Sequence, residues 1–247
     1  MARRRGRRLS GAAALTGWLA PAADGRHLQV GRGPATAGKG LQRREGGSLR
    51  ALGPPQEAHA VSPDVASLVA PLQALQRLLA RFDDQGIVIG GVAASLLGKP
   101  RLTVDIDAVL LLSIDDLPRL IVAAAQEGFV PRIPEADAFA REHRVLLLRH
   151  QESGIAVDIS LGILPFEQEA IQRSTLHDAG IFAVRLPTPE DLIILKAVAH
   201  RPKDLLDIQA LIDSNPDLDR ERIRHWVCEF AEALDMPELW TDIASWL

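Results

Sequence analysis

The stretch Ile87-Val-Ile-Gly-Gly-Val-Ala-Ala-Ser-Leu-Leu-Gly-Lys-Pro-Arg-Leu-Thr-Val-Asp-Ile-Asp-Ala-Val-Leu110 places two glycines ahead of two aspartates. Asp105 and Asp107 stand in a run that is otherwise almost wholly apolar. Because successive side chains of a strand point to opposite faces, the two carboxylates project the same way. At about 6 Å and an effective dielectric near 20 they repel by roughly 3 kcal/mol. A nearby cation would offset this repulsion, and oxygen ligands alone favour a hard ion such as magnesium.

The glycine pair, Gly90-Gly91, ends the apolar triplet 87–89 and opens a short helical stretch. A strand that turns into a helix through glycine leaves bare backbone N–H groups at the helix N-terminus, where phosphate binds. Glycines suited to phosphate and carboxylates suited to metal together indicate nucleotide chemistry.

The composition is that of a globular chain, with 247 residues of which 47% are hydrophobic and 24% charged. Charge is distributed unevenly, since residues 1–50 carry a net +9 and the remainder −13 of the total −4. The chain lacks tyrosine and has only 4% aromatic residues, so it supplies few platforms for stacking nucleobases. The single cysteine, Cys228, excludes an internal disulfide and predicts a reducing, cytoplasmic location.

The first 60 residues are rich in Arg, Gly and Ala and show no periodic apolar pattern. Such a segment buries too little surface to offset its ordering entropy, which predicts a disordered basic arm or a start codon placed too early. An export signal and a nucleic-acid-binding arm are the alternatives. We favour the first interpretation, because glycines and Pro21 interrupt an apolar stretch too short to span a bilayer.

Apolar periodicity predicts an α+β fold: a small mixed sheet with helices over residues 61–187, followed by a helical C-terminal region over 188–247. Strands are predicted over 87–89, 103–112, 144–149, 155–161 and 181–186, the third and fourth forming a hairpin. Helices are predicted over 62–81, 92–97, 113–127, 165–175, 189–200, 203–213, 219–234 and 237–246.

A third acid, Asp158, stands alone in the apolar run Val157-Asp-Ile-Ser160. Nucleotidyl transfer uses two divalent ions about 4 Å apart, which two or three carboxylates on a rigid platform can hold. Each motif alone has an ordinary explanation, because Asp-x-Asp suits a solvated strand face and Gly-Gly suits a turn. Their joint occurrence in this order favours a catalytic site at Asp105, Asp107 and Asp158.

Other candidates have two interpretations each. Lys196 could reach a triphosphate or be an ordinary surface lysine, and Arg101 could meet phosphate or belong only to a loop. Asp204 could serve a site or simply stabilise the start of a helix. The histidines lack zinc-site spacing, and neither a Walker A loop nor a serine nucleophile elbow occurs.

These residues resemble the DNA-polymerase-beta-like nucleotidyltransferase superfamily, whose signature is a strand ending in Gly-Gly, a short helix and Asp-x-Asp on the next strand. Within it, the stretch 90–107 is similar to the AbiEii-type bacterial nucleotidyltransferases, which are often toxins or phage-defence enzymes. A second stretch is also similar, Thr188-Pro-Glu-Asp-Leu-Ile-Ile-Leu-Lys196 with Arg201-Pro-Lys-Asp204-Leu-Leu-Asp207. The resemblance covers about residues 65–215.

The resemblance implies a magnesium-dependent enzyme that moves a nucleoside monophosphate from an NTP to an acceptor hydroxyl. It implies that Gly90 and Gly91 face the triphosphate, that Lys196 contacts phosphate and that Asp204 is a further polar group near the site. It also implies Mg²⁺ at Asp105 and Asp107, with Asp158 as the third carboxylate, and we expect two ions. We assign Arg101, together with Lys196 and Asp204, to nucleotide binding. The acceptor would be transfer RNA or a small molecule. The expected partner protein is an antitoxin, and no association with a membrane is expected. Two alternatives stay open: an aminoglycoside-type antibiotic nucleotidyltransferase, and a catalytically silent binding partner of the same fold.

Overall fold

Residues 63–247, which the computed structural model describes with side chains from residue 67 onward, alternate helices with short strands. The predictions for residues 1–60 lie outside this range. The helices are α1 (Pro63–Ala80), α2 (Gly90–Leu97), α3 (Leu117–Gln126), α4 (Ala136–His143), α5 (Pro165–Arg173), α6 (Pro189–Ala199), α7 (Pro202–Ser214), α8 (Arg220–Leu234) and α9 (Glu238–Thr241). The strands are β1 (Gly86–Ile89), β2 (Asp105–Leu111), β3 (Phe129–Pro131), β4 (Val145–His150), β5 (Ala156–Gly162), β6 (Thr175–Asp178) and β7 (Ala183–Leu186).

The main sheet has the strand order β1-β2-β5-β4-β3, and β6 and β7 form a separate antiparallel pair. Strands β2 and β5 run parallel, whereas β1–β2, β4–β5 and β3–β4 are antiparallel. The sheet is therefore mixed, and the predicted α+β class is confirmed. The hairpin predicted for 144–149 and 155–161 is confirmed as β4 and β5.

Strand β2 alternates between the two faces of the sheet. Ile106 and Ala108 are fully buried in the core, while Asp105 and Asp107 lie half-buried on the opposite face. Strand β5 repeats the pattern, with buried Val157 and Ile159 on either side of a half-buried aspartate. The apolar face holds the sheet against the core, and this anchoring positions the polar face.

Two helices supply much of the core beside the sheet. Helix α1 buries a leucine stripe at helical spacing, as its periodicity predicts, which comprises Leu68, Leu72, Leu75, Leu78 and Leu79. Helix α6 is buried on all sides from Asp191 to Val198, because it packs against α2, α7 and α8. A helix enclosed in this way forces its polar side chains to find partners inside the protein.

Several elements differ from the prediction. Strand β3 and helix α4 were not predicted, because β3 is three residues long and ends in a proline at the sheet edge. Residue Thr175 begins β6 and does not end α5, and the last helix covers only Glu238–Thr241. The domain boundary between residues 187 and 188 stays a prediction.

Within residues 63–247, each helix is too short or too polar to cross a lipid bilayer.

Candidate active site

The turn between β1 and α2 needs glycine at its first position. Gly90 has φ of +65°, a conformation that side chains rarely adopt. A Cβ atom there would lie 2.0 Å from Oδ2 of Asp107. The preceding Ile89 is extended and provides no side-chain cap, so the first-turn N–H groups of α2 have no capping side chain. The turn therefore brings bare backbone donors directly against the aspartate strand.

The three aspartates predicted from the sequence lie together on the polar face of the sheet. Asp107 and Asp158 are paired in register on the parallel strands β2 and β5. Neighbouring strands are about 4.8 Å apart, so these two side chains stand side by side. Asp105 precedes Asp107 by two residues and shares its face. The structure thus forms an acidic site beside the glycine turn.

Burial and like charge both act on Asp107. Burial raises the pKa of Asp107 to about 6, with further increases from the charges of Asp105 and Asp158. The positive charges of Lys196 and Arg201 act in the opposite direction but only partly offset the shift. The site therefore carries an excess of negative charge at its centre, which a cation would relieve.

The loop between α2 and β2 is held to the site by two hydroxyl groups. Ser95 Oγ lies 2.9 Å from the carbonyl oxygen of Gly91 and 3.0 Å from that of Arg101, so its one O–H is shared between the two acceptors. Thr103 Oγ1 donates to Oδ1 of Asp105 at 3.1 Å, and a Cβ on Gly91 would lie 2.5 Å from the same hydroxyl. These contacts orient the carboxylate of Asp105 and place the loop close to the glycine turn.

A network of ion pairs connects helices α6 and α7 behind the acidic site. Lys196 Nζ donates to Asp204 at 2.9 Å and to Asp207 at 2.7 Å. Arg101 makes two parallel hydrogen bonds to the carboxylate of Asp207, at 2.7 and 2.8 Å. Arg201 contacts both carboxylate oxygens of Asp204. Three cations thereby share two carboxylates and tie the α2–β2 loop to α7.

Both carboxylates of this network are held in the ionised form. Burial acts to raise the pKa of Asp204, but the hydrogen bond from Arg201 and the charge of Lys196 outweigh it, so the pKa is lowered. The pKa of Asp207 is also lowered, because hydrogen bonds from Arg101 and Lys196 outweigh its burial. The network is thus a set of charged groups and not of neutral ones.

Lys196 and Asp204 lie beneath the site surface. Lys196 is 3% exposed and Asp204 is 0% exposed, so the solvated-surface interpretation of Lys196 is wrong. Lys196 and Arg201 are close enough to Asp107 to influence its ionisation. The nucleotide-binding roles of Lys196, Asp204 and Arg101 stay predictions, and their contacts favour an indirect role for the two buried groups.

Four side chains of the site were not predicted from the sequence: Thr103, Arg132, Arg201 and Asp207. The spacing of Arg201 three residues before Asp204 is a signal that could have revealed one of them, because such residues are neighbours on a helix. Arg132 has no sequence signal, since it follows the unpredicted strand β3. It donates to both carboxylate oxygens of Asp158, at 2.8 and 3.1 Å.

Comparison with known proteins agrees with this arrangement. A family described as the nucleotidyl transferase AbiEii toxin of type IV TA systems matches residues 73–240, which include every site residue named above. The chain belongs to the AbiEii nucleotidyltransferase family. The protein is therefore a nucleotidyltransferase with an NTP as donor substrate, and the catalytically silent alternative is not supported. A search of curated proteins gives no match.

Similar solved structures belong to nucleotidyltransferases. An antigenic nucleotidyltransferase-like protein from Paracoccidioides brasiliensis is 17% identical, with 74% of this chain and 92% of that chain covered and a TM-score of 0.46. The antibiotic-resistance factor ANT(2'')-Ia is 15% identical, with 71% and 96% covered and a TM-score of 0.46. The lincosamide antibiotic adenylyltransferase LnuA is 16% identical, with 56% and 94% covered and a TM-score of 0.37.

Proposed function

We propose that this AbiEii nucleotidyltransferase is magnesium-dependent and transfers a nucleoside monophosphate from an NTP to a hydroxyl of transfer RNA. In this proposal Asp105, Asp107 and Asp158 hold two Mg²⁺ ions, and Gly90 and Gly91 face the triphosphate. The protein would act in the cytoplasm, where NTP and transfer RNA occur together, as the toxin of a toxin–antitoxin pair.

The observation that carries the proposal is the register of β2 and β5. It places Asp158 beside Asp107, although the two residues lie 51 positions apart in the chain. Asp105 joins them on the same face, and the glycine turn closes against Asp107. Carboxylates and bare amide donors are the groups that a metal-bound triphosphate requires.

The donor atoms of these residues fit a hard divalent cation, although within residues 67–247 no three His, Cys, Asp or Glu side chains already converge on one. All three ligands would be carboxylate oxygens, which Mg²⁺ prefers. Burial, and after it the charges of Asp105 and Asp158, raises the pKa of Asp107, and a bound cation would favour its ionised form. When bound, Mg²⁺ supplies neutralisation of phosphate charge and activation of the acceptor hydroxyl.

The chain's own groups would orient the reactants. The N–H groups at the start of α2 donate to phosphate oxygens, and Thr103 holds Asp105 in place. Arg101 flanks the glycine turn, since its Nη2 would lie 3.3 Å from a Cβ on Gly91. Lys196 and Asp204 support this arrangement from below, through Arg101, Arg201 and Asp207.

The choice of acceptor rests on the family. The matched family is described as a toxin. Some members of the group that the sequence resembles act on transfer RNA. A second candidate acceptor is an aminoglycoside-like antibiotic. The net charge of −13 outside residues 1–50 favours it, because a cationic drug is attracted to an acidic protein.

Parallel transfer assays test the proposal. The full chain is incubated with Mg²⁺ and each of four α-labelled NTPs, with total transfer RNA in one series and an aminoglycoside panel in another. Label on transfer RNA supports the proposal, and label on a drug supports the second candidate. EDTA should abolish transfer, and Mg²⁺ in excess should restore it.

Substitution of the strand aspartates provides the matched control. We expect Asp107→Asn to reduce kcat at least about 10³-fold, since the group would act directly on the reacting phosphate. Asp217→Asn removes an equal charge from an exposed turn between α7 and α8 and should leave transfer unchanged. Full transfer activity in the Asp107→Asn protein would contradict the proposed site.

A further inference from the structure

The polar face of the sheet continues past the aspartates along one row of residues. Asp107 pairs with Asp158, and Asp158 pairs with Leu147 on β4. Just beyond β3, the backbone N–H of Arg132 donates to the carbonyl of Leu147 at 3.0 Å. The row therefore runs from the acidic site to Arg132, and a backbone hydrogen bond fixes where this arginine stands.

Arg132 uses its place in the row to hold Asp158. Its Nη2 lies 2.8 Å from Oδ1 and 3.1 Å from Oδ2, so one guanidinium nitrogen contacts both oxygens of the carboxylate. The side chains of Arg132 and Asp158 are 27% and 32% exposed. The pair is thus accessible enough to be rearranged when a ligand enters the site.

The same oxygens are the ones that the proposed function assigns to a metal ion. In the part of the chain that the structure describes, no group of three His, Cys, Asp or Glu side chains is arranged to hold one. A guanidinium and a divalent cation compete for one carboxylate, because both are positive and both need its lone pairs.

We propose that Arg132 competes with the divalent cation for Asp158 and so lowers the affinity of the nucleotide-free protein for metal. This inference rests on the proposed function, because it assumes that Asp158 serves a metal. In the nucleotide-free protein, a metal ion would bind the carboxylates of Asp105 and Asp107, while the carboxylate of Asp158 stays paired with Arg132. Full assembly of the acidic site then requires the Arg132–Asp158 contact to open.

Titration calorimetry with Mn²⁺, without nucleotide, tests this on the full chain. Arg132→Gln removes the competing charge and should tighten Mn²⁺ binding about tenfold. Arg132→Lys keeps the positive charge, so its Mn²⁺ affinity should stay within about twofold of that of the wild type. Asp158→Asn should weaken Mn²⁺ binding about threefold or less, whereas Asp107→Asn should weaken it by more than about tenfold.

Arg149→Gln is the matched control. Arg149 is exposed and lies on the same face of β4, two residues after Leu147, and its side chain has no hydrogen bond or ion pair with residues 67–247. Its removal changes the charge near the site equally, without freeing Asp158. We expect its Mn²⁺ affinity to stay within about twofold of the wild type.

The outcomes separate this inference from the proposed function. If Arg132→Gln leaves Mn²⁺ affinity unchanged or weaker while the wild type binds metal and transfers nucleotide, the competition is refuted and the function stands. The competition is also refuted if Arg149→Gln increases Mn²⁺ affinity as much as Arg132→Gln does. If circular dichroism shows that Arg132→Gln does not fold, the two aspartate variants decide. The competition is refuted if Asp158→Asn loses as much Mn²⁺ affinity as Asp107→Asn. A wild type without Mn²⁺ binding or transfer overturns both.

Discussion

At the scale of single residues, the site combines groups that the folded protein keeps at an energetic cost. Asp107 is half-buried beside two like charges, and Gly90 holds a backbone conformation that few other residues adopt. Strained and like-charged groups typically concentrate where function requires them. Each of these two residues therefore has a measurable consequence for stability.

Removing the charge of Asp107 should make the protein more stable. Its pKa of about 6 exceeds the unfolded value of 3.8, so the folded state favours the protonated form. Above pH 6 the ionised group destabilises the fold by about 3 kcal/mol, and this penalty disappears as the pH falls from 6 to 4. Asp107→Asn should raise the free energy of unfolding at pH 8 without divalent cation and have little effect at pH 4.

Urea unfolding at pH 8, 6 and 4 in EDTA measures this effect. The control is Asp217→Asn, because Asp217 is exposed in a turn far from these charges in the sequence. A gain for Asp107→Asn that persists undiminished at pH 4 would contradict the assignment of the effect to ionisation.

Gly90→Ala should damage activity more than stability. The added Cβ would overlap Oδ2 of Asp107 and force that carboxylate out of place. We expect transfer to fall more than about 100-fold, because small displacements of catalytic groups are costly. The loss of stability should be about 1–3 kcal/mol, from the unfavourable φ.

Gly154→Ala is the control that separates the effect of backbone strain from the effect of displacing the Asp107 carboxylate. Gly154 has a φ of +72°, similar to that of Gly90, but a Cβ there would meet nothing within 4 Å. It should lose comparable stability and retain full transfer activity. Equal activity losses in the two variants would show that the contact with Asp107 is irrelevant.

At the scale of elements, the junction of α6 and α7 carries the buried charges. Lys196→Met would leave Asp204 and Asp207 without their shared ammonium group in a buried position. Breaking a buried pair on one side costs about 3–5 kcal/mol, and we expect a loss of this size in urea unfolding at pH 7.

The control for this junction is a surface pair between α7 and the loop after α2. Lys99 and Asp213 lie 2.6 Å apart, with side chains 63% and 60% exposed. Lys99→Met should change stability by less than about 1 kcal/mol, because solvent screens the pair. If Lys196→Met loses no more stability than Lys99→Met, the buried network stabilises the fold no more than a surface ion pair does.

Secondary structure was predictable where one element contains its own pattern. The leucine stripe of α1 and the alternation in β2 follow from local periodicity, and the structure confirms both. Strand β3 was missed because a three-residue edge strand has no period to detect, and its pairing depends on β4. The position of Arg132 was lost with it.

At the scale of the whole molecule, the residues that we propose for transfer lie within 73–240, the range of the family match. We therefore expect a protein lacking residues 1–60 to retain the melting temperature and the NTP transfer of the full chain, within about twofold in kcat. Thermal melting by circular dichroism and the labelled-NTP assay measure this. A truncated protein that melts normally but transfers nothing would give the N-terminal segment a part in the reaction.

The sequence by itself determined the glycine turn, the aspartate pair on one strand face and the α+β class, because each depends on residues close in the chain. Only the tertiary structure decided that Asp158 stands in register with Asp107, that Lys196 is buried between two carboxylates, and that Arg132 holds the third acid. These contacts join residues that lie 8 to 51 positions apart in the chain. Their geometry follows from strand register and helix packing, which no local pattern encodes.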